Sequence, residues 1–372
     1  MRQFTENFLH FLSLDCLENR HLAQNDPELF LQRYPAPVLI DEIQYAPELF
    51  PYIKAIVDRD RQAGMYWLTG SPQFRLLQHL SENLAGRVGV LHLQGFSQAE
   101  KNNQPQLPAF LPTKSLLDER SGAQPVQDLH QLYHTIWKGS YPQLVGSDDA
   151  FWEIFYDSYL QSYIQRNVRD LRAVGNLLDF MKFMQVLAAR TAEVLNYTTI
   201  SKIVGVSVPT IKSWVSILEA SGVIYLLQPF SSNLSKRLTK TPKVYFLDTG
   251  LVSYLCAWKS AEVLELGAMS GEILETYVIS EILKSYWHQG KNPRVCFYRD
   301  KDGREIDLLI EENGKFYPIE IKRKSNPAQG DVKSFAYLKS LKMELGEGAV
   351  VCLVTTHLPI NEQVMAVPVW YL

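Results

Sequence analysis

Nowhere in its 372 residues does the chain contain Gly-Lys-Ser or Gly-Lys-Thr. That removes the G-x-x-x-x-G-K-[ST] loop, whose backbone N–H groups and lysine cradle nucleotide phosphates. The near misses fail: Lys138 precedes Gly139, while Gly290-Lys291 and Gly314-Lys315 continue into Asn292 and Phe316. Cysteine is scarce. Cys16, Cys256, Cys296 and Cys352 lie far apart, with no C-x-x-C pair and no histidine at ligand spacing, which argues against a disulfide framework or a zinc site. Reduced thiols in a cytoplasmic protein are the expectation. No run of 18 apolar residues is present, so no membrane span is expected. The first fourteen residues carry Glu6 and lack a small-residue cleavage site, unlike a signal peptide. Basic excess is also missing: the net charge is −3, so any nucleic-acid contact must come from a local patch.

What is present is 46% hydrophobic residues, enough for two or three packed domains. Near the N-terminus Val38-Leu39-Ile40 runs into Asp41-Glu42. An apolar strand ending in two acids is how a nucleotide hydrolase places its magnesium-organising carboxylate and its water-activating base. Around it strands and helices alternate, which favours an α/β layer. Phe8–Leu14, Val38–Glu42, Met65–Leu68 and Val88–Leu93 read as strands. Asp26-Pro27 opens a short helix, and a longer one is expected from Glu48 to Arg61. From Ala99 to Gln127 the composition shifts to Pro, Asn, Gln and Ser, the mark of a linker or exposed loop. Helical patterns follow at Asp128–Trp137 and Ala150–Leu171.

The stretch Leu177–Phe230 predicts a long helix, a short helix at Thr198–Val204, a turn at Gly205-Val206-Ser207, a second helix at Val208–Ala220, then a β run. That order fits a winged helix-turn-helix with Ile200, Ile203, Val206, Ile211, Val215 and Leu218 as its core; a plain helical bundle is the alternative. Thr210 and Lys212 lie on the second helix. Lys236, Arg237, Lys240 and Lys243 follow, interleaved with Ser and Thr, suited either to phosphate contacts or to a solvated loop.

In the last third a helix is predicted over Gly271–Trp287, with Glu275 at the edge of its apolar stripe. Strands follow at Arg294–Tyr298, Glu305–Glu311 and Lys315–Lys322, the last two joined by the hairpin dipeptide Asn313-Gly314. Further strands are expected at Ala349–Thr355 and Val364–Tyr371. Alternation puts Ile306, Leu308 and Ile310 on one face with Asp307 opposite, and Glu320 with Lys322 opposite Ile319 and Ile321. Asp307 and Glu320 then form a paired oxygen site suited to Mg²⁺, with the Lys322 ammonium beside it. An ordinary half-exposed strand with charges on its wet face is the competing account.

Taken in order, Asp26-Pro-Glu-Leu-Phe, Leu39-Ile-Asp-Glu-Ile-Gln, Leu68-Thr-Gly-Ser, Leu84-Ala-Gly-Arg, Lys243-Val-Tyr-Phe-Leu-Asp-Thr-Gly-Leu, Gly271-Glu-Ile-Leu-Glu, Glu305-Ile-Asp and Ile319-Glu-Ile-Lys resemble the AAA-type ATPases that carry a C-terminal DUF4143 domain. The resemblance runs from about residue 8 to the end. It implies an α/β multidomain fold: a partial P-loop, AAA-type parallel sheet (1–97), a linker and helical region (98–175), a winged helix-turn-helix (176–230) and a DUF4143 domain like the PD-(D/E)XK nucleases and restriction endonucleases (231–372). It implies ATP and Mg²⁺ as cofactors. Asp41 then organises the metal and Glu42 polarises water, while Thr69 and Ser71 reach the γ-phosphate or that water. Arg87 is an arginine finger or sensor, or else a surface arginine. Glu275, Asp307, Glu320 and Lys322 match the nuclease-like helical acid, two strand acids and lysine. Family members carry a βα unit with the phosphate loop ahead of Phe8, so this chain is expected to bind ATP weakly or not at all, and a shortened gene or misplaced start codon would explain it. The candidate partners are DNA and, in a homo-oligomer, further copies of the chain; no membrane is among them. Competing functions are a non-catalytic DNA- or protein-binding module and a degenerate gene fragment.

Overall fold

Residues 10–70, 84–123, 125–163, 176–231, 241–300, 302–341 and 343–372 are described by the structure, a computed structural model. The chain divides into two units, residues 1–91 and 92–372.

In the first unit β1 (His10–Ser13), β2 (Val38–Asp41) and β3 (Tyr66–Leu68) form a parallel sheet in the order β1-β2-β3. The middle strand is the continuous apolar one, and Val38, Leu39 and Ile40 are all buried, as a strand covered on both faces requires. The helix Pro27–Arg33 starts where expected: the Asp26 carboxylate accepts the Leu29 N–H at 3.0 Å and Pro27 occupies the first turn. Leu49–Asp60 supplies Leu49, Phe50 and Ile53 to the core. The strand expected at Val88–Leu93 does not form. Val90, Leu91 and Leu93 are exposed, and Gly89 interrupts the run where a strand would need a side chain to pack.

The second unit begins with the proline- and asparagine-rich stretch, which is packed rather than a free linker. A capping box of Ser97 and Glu100 starts the helix Gln98–Lys101, and a second helix spans Lys114–Arg120. Phe110 and Leu117 are fully buried, and Phe110 is pinned by the Ser285 hydroxyl at 2.9 Å and the Tyr286 hydroxyl at 3.1 Å. Composition lowers helix propensity here, but two large apolar side chains decide the packing.

Helices Leu129–Lys138, Ala150–Tyr163, Leu177–Ala188, Tyr197–Val204 and Val208–Ala220 follow. Gly205, in the left-handed region at φ 91°, ends one helix, and Ser207 caps the next. These two helices meet at 104°. Trp214, 1% exposed, anchors them against Phe180 and Phe183 at ring distances of 5.3 and 5.4 Å. Ile203, expected in that core, is instead 42% exposed. β4 (Ile224–Leu227) then pairs antiparallel with β5 (Lys243–Phe246).

The C-terminal sheet has six strands in the order β10-β11-β9-β8-β7-β6. They are β6 (Arg294–Arg299), β7 (Glu305–Glu312), β8 (Lys315–Ile321), β9 (Gly348–Cys352), β10 (Leu358–Asn361) and β11 (Val364–Pro368). β6-β7-β8 is antiparallel, and β8-β9-β11 is parallel, with the helix Lys333–Ser340 crossing from β8 to β9 and β10 lying between β9 and β11 in the chain. Asn313 and Gly314, at φ 50° and 78°, make the two-residue turn the sequence announces. On one face Leu308, Ile310, Ile319 and Ile321 pack with the helix Ser270–Trp287; on the other, Leu309, Val350 and Cys352 pack with Phe335 and Leu338. The long helix is buried nearly all round rather than along one stripe. Strict alternation fails at one place. The register slips between Cys296↔Leu309 and Tyr298↔Ile306, a bulge in β7 that moves Ile306 to the face opposite Leu308.

Candidate functional site

The bulge opens the end of β7 away from β8, and the acidic residues gather there. The Asp307 Oδ2 accepts the Ile321 N–H at 2.8 Å, so the carboxylate takes the place of a ladder partner. From β8, Glu320 turns its side chain in, 6% exposed, to meet the Lys322 Nζ at 2.6 Å, and that ammonium lies 3.6 Å from Asp307. Glu275 reaches the same region from the long helix. It accepts the Tyr245 hydroxyl at 2.6 Å and the Lys243 ammonium at 3.0 Å. Lys243 also pairs with Glu305 at 2.5 Å, and Arg299 approaches Glu305 at 3.6 Å.

Thus Glu275, Asp307, Glu320 and Lys322, which the sequence reading groups into one site, lie in one region of the structure. Lys243 is placed differently from its reading as a surface phosphate contact. Its side chain is 5% exposed and belongs to the acidic cluster, because β5 lies in the core and alternation turns Lys243 and Tyr245 to one side. Glu305 and Tyr245 were missed altogether. The available signal was a lysine and a tyrosine two apart in the otherwise apolar run Lys243–Phe246, which no surface loop needs.

The electrostatics follow from burial. Burial first, and the Asp307 charge second, push Glu320 up to about 8, with Lys322 pulling the other way. Burial and Asp307 likewise raise Glu275 to about 7, against Lys243 and the Tyr245 hydroxyl. Burial alone would lower Lys322 and Lys243, but the surrounding carboxylates outweigh it and hold both ammonium groups above the usual lysine range. Asp307 and Glu320 are hard oxygen donors side by side, a set that fits a magnesium-like ion keeping most of its waters. Among the described residues no cluster of three His, Cys, Asp or Glu side chains is arranged to hold a metal.

In the first unit Asp41 ends β2 and receives the Thr69 hydroxyl, while Glu42 follows in the left-handed region at φ 58°. Strand ends of this kind are where open α/β sheets place ligands. Glu42 is held by the Gln44 amide. Arg87 forms a two-pronged pair with Asp58, one contact at 3.0 Å, and that hydrogen bond lowers the Asp58 pKa. The arginine therefore has a structural partner on the helix Leu49–Asp60. Asp41, Glu42 and Thr69 fit the metal and water side of a nucleotide site. The phosphate grip has no counterpart in the sequence. Ser71, Lys236, Arg237 and Lys240 lie outside the described residues. On the bent helix pair Lys212 is exposed, its Nζ 5.6 Å from the Tyr197 ring, and the Thr210 N–H donates to the capping Ser207 hydroxyl at 3.2 Å. No single described helix is long and apolar enough to cross a membrane.

Comparison with family models agrees with the two ends of the chain. Residues 1–102 match an AAA domain and residues 270–372 match a domain of unknown function, DUF4143, so the chain joins an AAA-type domain to a C-terminal DUF4143 domain. Between them residues 129–262 match a second domain of unknown function, DUF8612, which includes β5 and therefore Lys243 and Tyr245. Among curated proteins the chain is similar to the uncharacterized proteins Mb2031c of Mycobacterium bovis and Rv2008c of Mycobacterium tuberculosis, each 25% identical over 343 residues, 92% of this chain and 70% of theirs. Among solved structures, protein VC1899 from Vibrio cholerae aligns over 94% of this chain and 89% of its own at 12% identity, with a TM-score of 0.18, too low to establish a shared fold.

Proposed function

We propose that this ATPase-like family member acts on DNA, and that its C-terminal site carries divalent-metal-dependent phosphodiester chemistry. The observation that supports this most is the convergence of Glu275, Asp307, Glu320 and Lys322 at the splayed end of β7 and β8. A divalent ion held by Asp307 and Glu320 would supply Lewis-acid stabilisation to a phosphate oxygen. The chain's own groups do the rest. Asp307 is fixed by the Ile321 N–H, Glu320 gives up the proton it holds near neutrality, and Lys322, 36% exposed, turns from the carboxylates to a phosphate. Glu275 sits one layer behind, held by Tyr245 and Lys243.

The DNA reading draws on the helices Tyr197–Val204 and Val208–Ala220. Their crossing of 104°, their glycine turn and the ribbon β4–β5 suit a winged helix-turn-helix whose second helix presents Thr210 and Lys212. In the AAA domain Asp41, Glu42, Thr69 and Ser71 have a nucleotide-linked role, with ATP and Mg²⁺ as its ligands and Arg87 released from Asp58 to take part.

The direct test is nicking of supercoiled plasmid with Mg²⁺ or Mn²⁺. Wild-type protein is expected to nick, and Asp307→Ala to lose at least a hundredfold of the rate, the scale of removing one stabilising group. Nicking unchanged in Asp307→Ala would remove the nuclease role.

A further inference from the structure

The acidic site contains four carboxylates, yet they are not equivalent. Asp307 and Glu320 share Lys322, which is a third exposed and stands at the open end of β8. Glu275 and Glu305 share Lys243, which is nearly sealed. We propose that Lys243 is a built-in cation for the Glu275–Glu305 pair, taking the place a second divalent ion would otherwise fill and limiting the site to one ion at Asp307 and Glu320. This deepens the metal-dependent reading above and rests on it.

Several contacts keep Lys243 from leaving. Its Nζ bridges the two carboxylates at 3.0 and 2.5 Å and lies 5.7 Å from the centre of the Phe297 ring, which favours a cation on its face. Its strand is held on both sides, by the ladder to β4 and by the bridge Val194↔Lys243. The next residue, Val244, donates to the Glu193 carbonyl at 3.1 Å. From the same face of β5 the Tyr245 hydroxyl takes the Glu275 oxygen that Lys243 also binds. Expelling this ammonium would leave a lysine buried without partners, a cost Lys322 does not face because it can swing into water. The surrounding carboxylates keep Lys243 protonated throughout the physiological range. A fixed single charge neutralises Glu275 and Glu305 without offering coordination sites.

The test is Mn²⁺ stoichiometry on the full chain without nucleotide, with Asp41→Asn in every sample so that no ion at the AAA domain is counted, by isothermal titration or by electron paramagnetic resonance of free Mn²⁺. Wild type is expected to bind one ion, and Lys243→Met two, because methionine keeps the packing over Phe297 and frees the two carboxylates. Glu305→Gln, which keeps the ammonium, is expected to stay at one. A wild type binding two ions, a folded Lys243→Met variant still binding one, or loss of the ion in Glu305→Gln would overturn the inference while leaving the metal site standing. Should Lys243→Met fail to fold, Lys243→Gln, which can still hydrogen-bond the two carboxylates, takes its place: two ions are expected, and a count of one overturns the inference. A wild type binding no ion would instead overturn the metal-dependent reading itself, and this one with it.

Discussion

Glu320 is a carboxylic acid kept almost out of water beside a second carboxylate, and its proton responds to folding. Burial beside the Asp307 charge pushes Glu320 up to about 8 and Glu275 up to about 7, whereas an unfolded glutamate titrates near about 4.3. Across that interval the folded state binds more protons than the unfolded one. The stabilising contribution is therefore complete only below the unfolded value near about 4.3 and is lost progressively as pH rises from there through the two folded values. The thermal midpoint of the wild-type protein is expected to fall between about pH 5 and about pH 8. Glu320→Gln should flatten that slope and raise the midpoint at the alkaline end by roughly 2–4 °C per kcal/mol recovered. An identical pH profile in the glutamine variant would show that the proton resides elsewhere.

Among the elements, those with a local chemical signature were legible in the sequence. Asp26-Pro27 announced a helix start, Asn313-Gly314 a hairpin, and the period-two runs on either side placed Asp307 and Glu320 within reach of each other. What could not be read locally was decided by packing partners far along the chain. Val88–Leu93 has strand-like composition but pairs with no strand among the described residues, the proline-rich stretch is ordered by Phe110 and Leu117, and the bulge that reverses Ile306 depends on β6. The same holds for Lys243: its charge points to a surface, and the pairing of β5 with β4 puts it inside. The helix pair shows how far such packing carries an element. Trp214, buried, packs its ring against both Phe180 and Phe183. Trp214→Ala is expected to cost about 3–5 kcal/mol, measured by urea unfolding, with loss of the cooperative transition for the segment Leu177–Ala220. A cost below about 1 kcal/mol would mean that the tryptophan does not anchor these helices.

For the molecule as a whole, a net charge of −3 means that any attraction to DNA is local and must be strongly salt-dependent. Lys202 and Lys212 are exposed on the two bent helices. Binding of a labelled duplex is expected to weaken steeply with added salt, and the pair of substitutions Lys202→Ala and Lys212→Ala to lower the slope of log affinity against log salt by about 2. A slope unchanged by both would exclude this face from contact.

The seating of Lys243 also bears on how the chain can be divided. A fragment begun at Ser270, where the last family match starts, would keep Glu275, Glu305, Asp307 and Glu320 and discard the strand that carries their inner ammonium and the Tyr245 hydroxyl. Such a piece would hold surplus negative charge against an uncovered helix, so the smallest self-sufficient C-terminal portion has to reach back through both strands of the preceding ribbon.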